Sequence, residues 1–176
     1  MLDRRRVLAA GLGLAAPTLG ASAAAASASA PRSLSLLNLH TGERLSATYF
    51  EGGRYLPDAL AALDRVLRDH RTGEVHPIAP GLLDLVSGLS GQLGGSGAVQ
   101  VISGYRSPVT NAALHARSSG VATRSLHMQG LAMDIRVPGA PLERLRDSAL
   151  ALGKGGVGYY PDSNFVHVDV GRVRRW

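Results

Sequence analysis

The chain has 176 residues, no cysteine and a formal net charge of +6. That length allows a single domain with its own core. The missing cysteines exclude a disulfide scaffold and leave histidine and carboxylate as the available metal ligands. The charge is too mild to argue for nucleic acid as a partner and suits anionic surfaces such as cell-wall polymers.

Residues 1–30 read as a targeting segment rather than as fold. Arg4, Arg5 and Arg6 form a positive start, Val7 to Ala16 an apolar run, and Ala21 to Ala30 a small-residue tract with A-x-A cleavage patterns. The apolar run falls short of the roughly 20 residues needed to cross a bilayer, so no membrane span is expected once it is removed. Asp3 to Leu8 resembles a twin-arginine export signal, which points to a periplasmic or otherwise exported protein. No cysteine stands near the cleavage region, so a lipoprotein signal is not matched. Residues 31–176 then make one domain.

Within that domain, Ser33 to Leu39 and Ser46 to Phe50 read as a β-hairpin around Thr41, Gly42 and Glu43. Pro57 opens a helical pattern through Leu60, Leu63, Val66 and Leu67 that ends near His70. Pro80 starts a second helix with Leu82, Leu83, Leu85, Val86 and Leu89 as its buried stripe, followed by a glycine-rich turn over 91–97. Ala98 to Ile102 is a strand, Pro108 to Leu114 a helix, Leu131 to Val137 a strand and Pro141 to Leu150 a helix. Val157 to Tyr160 and Phe165 to Val170 are further strands. On the last, Val166, Val168 and Val170 share one face, and Phe165, His167 and Asp169 the other. Arg172, Arg174 and Arg175 read as a solvated strand end. The order is α+β, with a small antiparallel sheet and helices packed on one side.

Asp134, inside an apolar strand, is the strongest physical clue to function. A carboxylate on a buried face is costly unless it is paired or binds a cation. His127 lies just before that strand, where a turn at Gly130 folds its imidazole back toward Asp134, and His167 projects from the neighbouring strand. Two imidazoles and one carboxylate with an open fourth position suit zinc in a hydrolytic site, where the ion acidifies water and polarises a carbonyl. His40, His70 and His76 lack a carboxylate at ligand spacing, His115 reads as an exposed residue of the helix after Pro108, and Glu143 and Asp147 read as a solvated helix face.

His127, Gly130, Ala132 and Asp134 at this spacing, with Ser103-Gly104-Tyr105-Arg106 upstream and a strand histidine downstream, resemble the D-alanyl-D-alanine metallopeptidase superfamily, which includes the hedgehog domain. Val101 to Ser107, Gly155 to Tyr160, Phe165 to Asp169 and the final Arg175-Trp176 bring it closest to murein endopeptidases of the MepK type. The resemblance implies the D-Ala-D-Ala peptidase-like fold, zinc at His127, Asp134 and His167, and peptidoglycan stem peptides as substrate. It also implies that Arg106 binds a substrate carboxylate or polarises the scissile carbonyl. Many relatives carry an acidic general base three residues before the last ligand, where this chain has Asn164. Asp169 shares a strand face with His167 and is read as the catalytic carboxylate, or as a partner orienting that histidine. Asp162 is the weaker candidate. Tyr105, Ser125 and Gln129 are substrate-contact candidates. A zinc endopeptidase is the leading expectation; a non-catalytic zinc wall-binding module and a D,D- or L,D-carboxypeptidase are the alternatives.

Overall fold

A computed structural model describes residues 30–95, 97–118 and 120–176. The export signal read over residues 1–30 lies, but for Ala30, outside them, as do Ser96 and Ser119.

The hairpin forms as its sequence suggests, with β1 (Arg32–Asn38) antiparallel to β2 (Arg44–Glu51). Its turn is fastened by Asn38, whose side-chain oxygen accepts from the backbone N–H of His40 and Thr41. A two-residue β3 (Arg54–Tyr55) follows. Helix α1 (Pro57–Val66) starts on its proline and stops at Val66, short of the expected end near His70. There the chain turns instead around Asp69, whose backbone pairs with Gly73 and Glu74. Helix α2 (Pro80–Gln92) buries Leu82, Leu83, Leu85, Val86 and Leu89, the full predicted stripe.

β4 (Val99–Ser103) leads to α3 (Pro108–His115), capped by Ser107, whose hydroxyl accepts from Thr110 N–H. A 3-10 turn (Leu126–Gln129) precedes β5 (Ala132–Arg136). Then come α4 (Leu142–Leu152), β6 (Gly156–Tyr160), β7 (Phe165–Asp169) and a two-residue β8 (Arg174–Arg175).

Among the described residues the strands form one sheet in the order β3-β2-β1-β4-β5-β7-β6-β8. The α+β class therefore agrees with the sequence, but the sheet is larger than expected and mixed. β1 pairs in parallel with β4, and β6 with β8. The first parallel pair is possible because α1 and α2 fill the long crossover that parallel neighbours require.

Strand alternation assigns the two faces different tasks. Met133, Ile135, Val157, Val166 and Val168 enter one core with Leu63 of α1, the leucines of α2, and Leu145 and Ala149 of α4. The intervening Asp134, Gly158, His167 and Asp169 face the other way. Helices α1, α2 and α4 thus anchor the sheet from behind while the polar residues gather in front.

Candidate metal centre

Asp134 and His167 are direct register partners on the antiparallel pair β5–β7, so their side chains emerge side by side. His127 arrives from the 3-10 turn, which closes at Gly130 with a positive φ of 66°. A side chain there would be strained and would run into the Pro77 carbonyl, so the close return of the chain depends on glycine. The three ligand atoms of His127, Asp134 and His167 lie within 4.8 Å of one another, and all three residues are buried.

The hydrogen bonds on the outer side of each ring decide what this cluster can hold. His127 Nδ1 sits 2.7 Å from the Gly104 carbonyl, which can only accept, so that nitrogen carries the proton. His167 Nε2 sits 3.1 Å from a carboxylate oxygen of Asp169, which fixes its proton in the same way. In the neutral rings the remaining nitrogens, His127 Nε2 and His167 Nδ1, are then bare lone pairs. They approach the same Asp134 oxygen at 3.3 and 2.9 Å, and each other at 3.2 Å. Three acceptors converge with no proton among them, an arrangement that only a cation or extra protons can reconcile. The residues fit a divalent metal, with each histidine oriented by an outer partner as in known metal sites. Without a metal, extra protons take that place: burial would raise the Asp134 pKa, and the charge and hydrogen bonds of protonated His127 and His167 rings hold it below the ordinary carboxylate range.

Asp169 is 0 % exposed and accepts five N–H bonds. They come from Gly156, Gly171, both terminal nitrogens of Arg174, and His167. Burial would raise its pKa, but these donors keep it well below the usual range. With both oxygens so engaged and none in the cleft lining, Asp169 meets its proposed proton-accepting role at a disadvantage and fits the orienting one. Asp162 is exposed and also outside the lining. Asn164 stands in the β6–β7 turn at φ 52°, a left-handed conformation asparagine tolerates, and its carbonyl accepts from Arg136. That position is occupied by turn geometry rather than by acid–base chemistry.

A cleft of about 550 Å³ opens over the cluster. Arg106 and Ser125 line it, as expected from sequence. The Arg106 guanidinium reaches within 3.6 Å of Asp134, and its Nε–H is buried without a partner among the described residues. Two other candidates are not in the lining. Tyr105 is buried, stacks on His76 at 4.7 Å and donates to Glu74, while Gln129 is exposed elsewhere. The sequence reading missed Tyr160, Arg174 and Trp176, which do line the cleft. The solvated-end reading fails for Arg174, since the ion pair with fully buried Asp169 holds it against the sheet. Three arginines in a row of five gave no sign of which one had a buried partner.

The segment carrying Arg106 into the cleft is strapped down by Asp69. One Asp69 oxygen accepts from Ser107 N–H at 2.8 Å and Ser107 Oγ–H at 2.7 Å. Burial opposes the charge, but these bonds keep the carboxyl well below the ordinary range. A depressed folded pKa gives stability that is complete above the unfolded value of about 3.9 and is lost as pH falls through the folded one. Asp69→Asn should therefore cost about 2 kcal/mol near neutral pH, with the gap from wild type closing below about pH 4. Thermal unfolding of both proteins across acid pH checks this; a gap that stays constant down to about pH 2 would contradict it.

The family model described as peptidoglycan L,D-endopeptidase MepK matches residues 26–176. The Escherichia coli K12 protein named peptidoglycan L,D-endopeptidase MepK is 48% identical over 176 residues, covering 99% of this chain and 97% of the relative. The Shigella flexneri protein of that name gives the same figures. A Haemophilus influenzae protein named probable peptidoglycan L,D-endopeptidase MepK is 46% identical over 147 residues, or 83% of this chain and 79% of its own. No solved structure matches the chain.

Proposed function

The chain belongs to the peptidoglycan L,D-endopeptidase MepK family and is a peptidoglycan endopeptidase, and we propose that it works as a zinc hydrolase on murein cross-links. The observation that carries the metal assignment is the convergence of His127 Nε2, His167 Nδ1 and an Asp134 oxygen, with the outer nitrogens already committed. Nitrogen and oxygen donors without sulfur, two of them imidazole, suit zinc. A bound zinc ion supplies Lewis-acid chemistry, polarising a carbonyl and acidifying water.

The chain's own residues supply the rest. The Gly104 carbonyl and Asp169 hold the two imidazoles in the tautomers that leave their inner nitrogens free. Arg174 and the backbone of Gly156 and Gly171 keep Asp169 charged and fixed, so it acts through His167 as a positioning residue. Arg106, loosely held by Asn111 and Ser103 at 3.4 Å, has donors available for a substrate carboxylate or for the charge developing on the scissile carbonyl. Ser125 borders the same space. The leader over residues 1–30 supports export to the periplasm, and its paired arginines support the twin-arginine route, which carries folded proteins. No helix among the described residues is long and apolar enough to cross a membrane.

The test is digestion of defined cross-linked muropeptides by zinc-loaded protein, read by chromatography with mass detection. Conversion of dimers joined through an L,D bond into monomers is expected. Release of single terminal amino acids would instead make it a carboxypeptidase, and intact dimers at full zinc occupancy would favour a wall-binding module.

A further inference from the structure

The sheet order gives the cleft two chemically different sides. The ligand-bearing strands β5 and β7 lie between β4, which Arg106 follows, and β6 with β8, which bring Tyr160 and, just after β8, Trp176. On β6 the register partner of His167 is Gly158. The gap left by its missing side chain is filled by the Trp176 indole, which would lie 2.7 Å from any Cβ at Gly158. Trp176 pairs through its backbone with Val157 and Tyr159, and its Nε1–H donates to the Tyr160 hydroxyl at 2.7 Å. Tyr160 in turn stacks on Phe165 at 4.6 Å. The Arg174 guanidinium lies 4.8 Å from the indole ring, and the His167 ring 5.2 Å. Despite all these supports Trp176 is 50% exposed, and it lines the cleft.

An indole fixed in one orientation, and in part open to the cleft beside a metal ligand, is a preorganised apolar contact surface. We propose that Trp176 is a substrate-binding residue whose open face holds the uncharged, C–H-rich part of the substrate peptide beside the scissile bond. Arg106, across the cluster, faces the charged part. This rests on the endopeptidase reading and adds to it a specificity wall built on Gly158 and Tyr160.

The test compares wild type, Trp176→Ala and Trp176→Phe in zinc-loaded form on a cross-linked muropeptide, with metal content and melting temperature measured alongside. Trp176→Ala should raise KM about tenfold, with kcat within about threefold and zinc retained, and Trp176→Phe should restore most of the loss. Trp176 is the only tryptophan in the chain, so its fluorescence reports this position alone. Titration of wild type with the monomeric muropeptide product should change that emission saturably. Unchanged kinetics in Trp176→Ala would overturn the proposal, and so would loss of zinc or folding in both variants, which would make the ring a mere prop for His167. Absence of turnover by fully loaded wild type would overturn the endopeptidase reading and the wall with it, a result distinct from normal turnover by Trp176→Ala.

Discussion

Asp134→Asn should abolish peptide hydrolysis, lowering turnover by about a thousandfold or more, while the protein still folds. The side chains are nearly the same size, so packing on β5 is kept. The change acts on the convergence of lone pairs. An asparagine amide can point its N–H groups at His127 Nε2 and His167 Nδ1, which supplies the protons that the cluster lacks. A cation is then no longer needed to reconcile the three groups, and one full negative charge is gone. Divalent metal should fall from stoichiometric to trace after gel filtration, with the melting temperature of metal-free protein little changed. Retention of stoichiometric metal, or activity within about tenfold of wild type, would show that Asp134 is not a ligand.

Asp169→Asn should have the largest effect on stability, about 3 kcal/mol or more, and should weaken metal binding about 10- to 100-fold. The carboxylate is fully buried and serves Gly156, Gly171, Arg174 and His167 together. An amide nitrogen in place of one oxygen turns an acceptor into a donor against one set of these N–H groups. The glycines leave no room for rearrangement, since even a Cβ at Gly156 would press on both Arg174 and Asp169. The metal loss is the more informative half. If Asp169 only orients His167, excess zinc should restore most of the turnover. If it takes the proton from water, zinc affinity should be near normal and turnover should stay low at saturation. Chemical unfolding and competition with a chelator, run beside the activity assay, separate the two.

Much of this site can be read from the sequence because β-strands alternate. Asp134 between Met133 and Ile135, and His167 between Val166 and Val168, announce a polar face on strands whose other face is core. The α2 leucines and the β1–β2 hairpin were legible for the same periodic reason. Two-residue strands have no period, so β3 and β8 left no mark, and the parallel pairings of β1–β4 and β6–β8 depend on long-range docking. The end of α1 was lost because the turn around Asp69 competes with a pattern that still looks helical. Tyr105 and Trp176 show the remaining limit. Both are aromatic residues near site motifs, and only the fold reveals that one turns to Glu74 and the other to the cleft. The choice of imidazole nitrogen, on which the metal argument turns, depends on Gly104 and Asp169, and spacing alone could not have supplied it.

The most direct measurement is the metal dependence of cross-link cleavage by purified protein, with metal content determined on the same sample. We expect one divalent ion per chain, loss of muropeptide cleavage when a chelator removes it, and recovery when zinc is returned. Undiminished cleavage by protein shown to be free of metal would contradict the account at its centre.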